Sequence, residues 1–129
     1  MPAQITARWI ADGVLRSDGL DSLPTDAAGP IWIDVSEPSE EALAAVSARF
    51  PLPPLALEDC LHYPQRPKMD AYSDLTFLIW LLPQIVTGDG LDTHELDVFL
   101  GEEHLITVHR ADVPALDRVM RHADAYLAR

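Results

Sequence analysis

Apolar and polar positions alternate through the first third of the chain and again through most of its second half, with helical spacing between the two. Gln4 to Ile10 and Gly13 to Arg16 read as two short strands turning at Asp12-Gly13, a dipeptide suited to the positive φ of a tight hairpin. Leu20 to Pro30, rich in Asp, Pro and Gly, reads as loop. Ile31-Trp32-Ile33-Asp34-Val35 follows as a β-branched and aromatic strand. Ser36-Glu37-Pro38-Ser39-Glu40-Glu41 then opens a helix, with either serine able to cap it and three glutamates at the positive end of its dipole. Leu43, Val46 and Phe50 recur at helical spacing and predict a buried stripe that Pro51 ends. Pro53-Pro54 opens a second, short helix to about His62, closed before the prolines of Tyr63-Pro64-Gln65-Arg66-Pro67.

Beyond that point the period returns to two. Lys68 to Tyr72, a Ser73-Asp74 turn and Leu75 to Leu82 predict a hairpin. In its second strand both alternating sets are apolar: Leu75, Phe77, Ile79 and Leu81 on one face, Leu78, Trp80 and Leu82 on the other. Such a strand belongs in the middle of a sheet covered on both sides. Thr87 to Asp92 reads as a turn-rich loop, and Glu95 to Leu100 with His104 to Arg110 as a further hairpin around Gly101-Glu102-Glu103. Asp112 is placed to cap a last helix with Val113, Leu116, Met120, Ala123 and Leu127 inside. These elements predict a three-layer α/β/α sandwich on a mixed, largely antiparallel central sheet, because hairpins are antiparallel by construction.

Length and composition narrow the reading further. The 129 residues suit a single domain spanning 1–129, long enough to bury roughly two-thirds of its unfolded surface without a staple. Nine basic against twenty-one acidic side chains give a net charge of −12, which disfavours nucleic acid and anionic lipid as partners. One cysteine, Cys60, excludes an internal disulfide and fits a reducing compartment. The first residues lack the basic and apolar regions of a signal peptide, and the longest apolar run falls short of the ~20 residues a membrane helix needs. The expected chain is soluble and cytosolic, with no direct membrane contact.

Catalytic motifs are missing: there is no glycine-rich phosphate loop, no G-x-S-x-G elbow and no complete H-E-x-x-H. His94-Glu95 begins the last of these, but Val98 stands where the second histidine belongs. No enzyme is expected. Cys60, among Leu57 and Leu61, reads as inert core. His104 and His109 differ by an odd number and therefore face opposite sides of one strand, which rules out a shared metal. The acids Asp89, Asp92, Glu95, Asp97, Glu102 and Glu103 read as the polar rim of a hairpin that discourages edge pairing. Glu58-Asp59 offers adjacent carboxylates, the ligand type of hard divalent cations, and Glu58 can share a helix face with His62. From spacing alone a solvated helix face is the preferred reading of the pair. Arg66-Pro67-Lys68 is a tight basic pair that fits an interface or anion contact and a rigid turn equally well.

Taken in order, Trp32-Ile33-Asp34-Val35, a glutamate-led helix, Pro54-Leu55-Ala56-Leu57-Glu58-Asp59 and Gln65-Arg66-Pro67-Lys68-Met69-Asp70-Ala71-Tyr72 resemble the CorA-type magnesium transporter family. Leu75 to Leu82, Val98-Phe99-Leu100-Gly101 and Leu105-Ile106-Thr107-Val108-His109 continue the resemblance to the last helix. Leu57-Glu58-Asp59 followed by Gln65-Arg66-Pro67-Lys68 is its most specific part.

The resemblance implies the N-terminal cytoplasmic regulatory domain of a homopentameric cation channel in an inner or plasma membrane. A stalk helix and two transmembrane helices with a Gly-Met-Asn signature would complete such a channel. None of these lies within the 129 residues, so an excised domain or a truncated relative is expected, unable to transport by itself. By resemblance Asp59 matches a regulatory aspartate that holds Mg2+ between subunits, and Glu58 an acid near a second divalent site. Their partner carboxylates would come from the neighbouring subunit's stalk, leaving half a site here and weak binding of Mg2+ or another divalent cation. Two alternatives stand beside this reading: the domain of a related zinc transporter, and a free-standing soluble interaction domain of the same fold.

Overall fold

The alternating segments assemble into one seven-stranded sheet in the computed structural model, which describes residues 2–85, 91–110 and 113–122. Strands β1 (Gln4–Ala11) and β2 (Val14–Asp18) form the first hairpin. Asp12 and Gly13 take φ of 53° and 74°, the left-handed pair that a two-residue turn demands. A 3₁₀ turn at Leu20–Ser22 interrupts the expected loop. Arg49 pins that loop by donating to the carbonyls of Leu20, Leu23 and Pro24 at 3.0–3.3 Å. Strand β3 (Ile31–Ser36) leads into α1 (Glu40–Arg49), whose cap is Ser39: its Oγ accepts the Ala42 N–H at 3.1 Å. Then come α2 (Pro54–Leu61), β4 (Lys68–Ala71), β5 (Leu75–Ile85), β6 (Leu91–Gly101), β7 (His104–His109) and α3 (Pro114–Arg121).

The strand order is β2-β1-β3-β7-β6-β5-β4, and every neighbouring pair is antiparallel except β3 with β7. Because side chains alternate across a strand, the sheet has two apolar faces. One carries Ile33, Val35, Phe77, Phe99, Ile106 and Val108 and packs beneath Leu43 and Val46 of α1 and Ala56 and Cys60 of α2. The other carries Trp32, Leu96 and Val98 and is covered by Val113 and by Leu116 of α3. Helices on both faces of a mixed sheet make the three-layer α/β/α sandwich that the pattern predicts.

Three expectations change. Strand β5 is next to the edge strand β4 rather than central, and Trp80 on its α3-side face is 58% exposed. Leu78 and Leu82 on that face do pack into the second core, so cover there is partial. Glu95 and Asp97 are not a polar rim: both are buried, because they share a strand face with Phe99 and so point under α2. Leu91 and Asp92, expected in a loop, belong to β6, which begins at Leu91. Thr87 to Gly90, the capping Asp112, and Ala123 and Leu127 lie outside the described residues; Val113 stands at the N-cap of α3.

At the β6–β7 corner the backbone and a ring meet closely. A Cβ added at Gly101 would sit 2.5 Å from Cε1 of His104, whose ring packs on Phe50 with centroids 5.0 Å apart. Gly101→Ala should therefore lower stability by about 1–2 kcal/mol through displacement of that ring. Denaturant midpoints would show it, and the loss should shrink when His104 is also truncated.

Candidate functional site

Helix α2 owes its start to Pro53 at the N-cap and Pro54 in the first turn, where a missing N–H costs nothing. Ala56 and Cys60, one turn apart, are buried and fix the inner face, with Leu57 and Leu61 packed beside them. Consecutive residues on a helix point about 100° apart. Glu58 and Asp59 consequently diverge. Glu58 is exposed on a groove of about 460 Å3 between α1 and α2, which Glu40 and His62 also line. His62 does meet Glu58, but through the backbone: its Nδ1 donates to the Glu58 carbonyl at 2.7 Å.

Asp59 turns the other way, toward β4, and its Oδ2 lies 2.5 Å from the Lys68 ammonium. Lys68 also reaches Asp70 at 3.3 Å, and its ammonium sits 5.9 Å from the Phe77 ring centroid. The hydrogen bond to Asp59 holds the Lys68 pKa above the ordinary lysine value against the opposing effect of burial. Half of the open question over the basic pair is thereby answered: Lys68 is the cation that Asp59 holds. Among the described residues no three His, Cys, Asp or Glu side chains converge on a point that could hold a metal ion.

Beneath α2 lies a cluster in which Glu95 and Asp97, two of the expected rim acids, meet Cys60 and Arg110. Glu95 Oε1 accepts the Gln65 N–H at 2.8 Å and so ties the segment after α2 to β6. Arg110 Nη2 donates to the Cys60 carbonyl at 2.9 Å, and its guanidinium stands 5.0 Å from the Tyr63 ring centroid. Asp97 is within hydrogen-bonding reach of both the Cys60 thiol and Glu95. Burial above all, then the bond to Glu95 and its charge, push Asp97 up to about 8, with Cys60 and Arg110 opposing. The same burial, with Asp97 beside it, pushes the Cys60 thiol far up, so Cys60 is the inert core thiol expected of it.

On the opposite face a second polar chain runs through the core. Trp32 Nε1–H donates to Thr107 Oγ1 at 3.0 Å, Thr107 donates to Asp34 Oδ1 at 2.6 Å, and His109 Nε2 meets both Asp34 oxygens at 2.9 Å. The Asp34–His109 pair has the look of an acid–base dyad. The nearby hydroxyl, however, is committed on both sides and spends its proton on the carboxylate, so it is no nucleophile. His104 and His109 lie on opposite faces, as their spacing predicts.

Comparison with known proteins gives these positions a context. Residues 27–127 match the family model described as CorA-like Mg2+ transporter protein. YfjQ of Bacillus subtilis (strain 168), named for metal ion transport, is 33% identical over 115 residues, which is 89% of this chain and 35% of the relative. The soluble domain of CorA from Methanocaldococcus jannaschii superposes with a TM-score of 0.70 at 21% identity, over 97% of this chain and 48% of that one. The ZntB cytoplasmic domain from Vibrio parahaemolyticus RIMD 2210633 gives 0.69 at 14% identity, over 99% and 52%. The chain thus spans about a third of its curated relative and about half of the solved soluble domains. Among the described residues no helix is long and apolar enough to cross a membrane. From its Trp32 strand to its last helix, and over most of its length, the chain belongs to the CorA-like Mg2+ transporter family.

Proposed function

We propose that residues 1–129 form a single cytoplasmic, N-terminal regulatory domain of a CorA-type cation transporter, and that the domain senses Mg2+ through Asp59 and Glu58. The observation that carries the reading is the Asp59–Lys68 pair: a carboxylate at the margin of α2 that already binds a cation of its own chain. An arriving Mg2+ exchanges with the lysine instead of meeting a bare site. Asp59 and Glu58 diverge, and among the described residues no third ligand joins either, so we take completion of the site to fall to other groups. In a homopentamer the stalk of the neighbouring subunit supplies them. Bound ions neutralise facing carboxylates and hold the subunits in the closed ring; when Mg2+ falls, like charges repel and the ring loosens. Such feedback requires only that the ion bind the closed state better than the open one.

Oxygen-only donors favour Mg2+ over Zn2+, which prefers nitrogen and sulfur. The zinc-transporter reading keeps a place because the ZntB cytoplasmic domain shares the fold. The family whose model the chain matches is one of transporters rather than enzymes.

Titrating Mg2+ into the 129-residue chain while following backbone amide shifts tests the assignment. Binding should be millimolar or weaker, since Mg2+ gives up its waters reluctantly, with the largest shifts at Glu58 and Asp59. Asp59→Ala should remove it. Lys68→Met should tighten it by about fivefold, equivalent to about 1 kcal/mol, the upper end for a partly exposed ion pair. Micromolar binding that survives both Asp59→Ala and Glu58→Ala would place the site elsewhere.

A further inference from the structure

Glu95 and Asp97 occupy alternate positions on β6, face the same way, and are 7% and 1% exposed. The main-chain N–H of Gln65 satisfies one oxygen of Glu95. Glu95 Oε2 and Asp97 Oδ1 are fully buried and have no bond partner when both groups are written as acceptors. Two orphaned acceptors in one buried cluster are unusual in a folded protein. A single proton removes the anomaly, because a protonated carboxyl is a donor as well as an acceptor.

We infer that Glu95 and Asp97 hold one proton between them beneath α2, and that releasing it loosens the seat of α2 and of the Gln65 segment that Glu95 pins. The surrounding groups are consistent with one proton and no metal. From α2 the pair meets the Cys60 thiol, with Asp59 next along the helix. Arg110, after β7, lowers the Asp97 pKa, but its guanidinium is engaged with the Cys60 carbonyl and the Tyr63 ring. From β4, Lys68 stands in the same cross-strand row through Ile79, bonded to Asp59 and Asp70. Strands β5 and β7 place only Ile79 and Val108 beside Asp97. Tyr63 and His94 share a small cavity of about 160 Å3 with Glu95 and Arg110. With Asp97 held up to about 8, the proton leaves just above neutral pH. Two buried carboxylates then repel directly under the helix that carries Glu58 and Asp59.

The switch requires no metal, so its test is run without one and stands apart from the cation reading. The carboxyl carbon of Asp97 and the backbone amides of Cys60 and Gln65 are followed by NMR through a pH titration of the 129-residue chain. All three should move together with a midpoint near 8. Glu95→Gln keeps the acceptor for Gln65 but removes the neighbouring charge, and should lower that midpoint. Asp97→Asn should abolish the transition at the two amides. An Asp97 carboxyl that titrates in the ordinary carboxylate range overturns the inference. So do α2 and Gln65 amides that stay still while Asp97 ionises. Should Asp97→Asn fail to fold, the wild-type and Glu95→Gln midpoints decide by themselves.

Discussion

Asp97→Asn should flatten the pH dependence of stability and leave the domain more stable than the wild type above pH 8. In the unfolded chain Asp97 ionises at its ordinary value, 3.8; in the folded domain it keeps its proton until about 8. Between those values the folded state binds the extra proton, so stability declines as pH rises and the decline is complete once the folded group ionises. One pKa unit corresponds to about 1.4 kcal/mol, which makes a window of this width worth several kcal/mol at most, before relaxation around the pair reduces it. Asparagine retains the shape and can donate to Glu95 at every pH. The net charge of −12 also favours unfolding at high pH through self-repulsion, but in both proteins alike. Urea midpoints measured across the range isolate the difference, and parallel profiles for the two proteins would remove the raised carboxyl from the account.

Phe99→Ala should cost about 3–5 kcal/mol, a large part of the stability of a domain this size. Its ring is fully buried against Phe77, with centroids 4.7 Å apart, on the face beneath α1 and α2. Truncation leaves a cavity between a sheet and two helices that cannot easily close over it. Trp80→Ala is the control. It removes a larger aromatic from the neighbouring strand, yet at 58% exposure it should cost no more than about 1 kcal/mol. Equal losses at the two positions, measured by chemical denaturation, would contradict the assignment of faces.

That pair of residues shows what the sequence could and could not say. Period-two alternation placed the strands of both halves because burying one face of a strand leaves that mark whatever surrounds it. It could not say which strand would be central, since strand order is decided by which hairpins meet, and Trp80 looks the same in either case. The helix starts were legible because caps and prolines act locally, as Ser39 and Pro54 do. The Glu58-Asp59 pair was visible as two adjacent acids, but its division between the α1 groove and Lys68 follows from the angle between helix neighbours and from where β4 lies. Glu95 and Asp97 do carry a local signal: they have the same parity as Phe99, and strand parity assigns all three to one face. Acidic character argued for the surface, and parity prevailed because turning the strand would bury a different set and expose Phe99. The Trp32–Thr107–Asp34–His109 chain had no comparable local mark, as its members come from strands joined only by tertiary pairing.

That pairing bears on how the domain folds. Strands β1 to β3 form one antiparallel group and β4 to β7 another, and β3 against β7 is the single parallel seam between them. Hairpins close short loops and can form early. The seam joins residues such as Asp34 and Thr107, 73 positions apart, and must gather α1, α2 and three strands before its bonds can form. Loop-closure entropy therefore concentrates there, and topology of this kind slows folding. The Thr107–Asp34 bond crosses this seam, so it should be among the last contacts to form, once both halves of the sheet are in place.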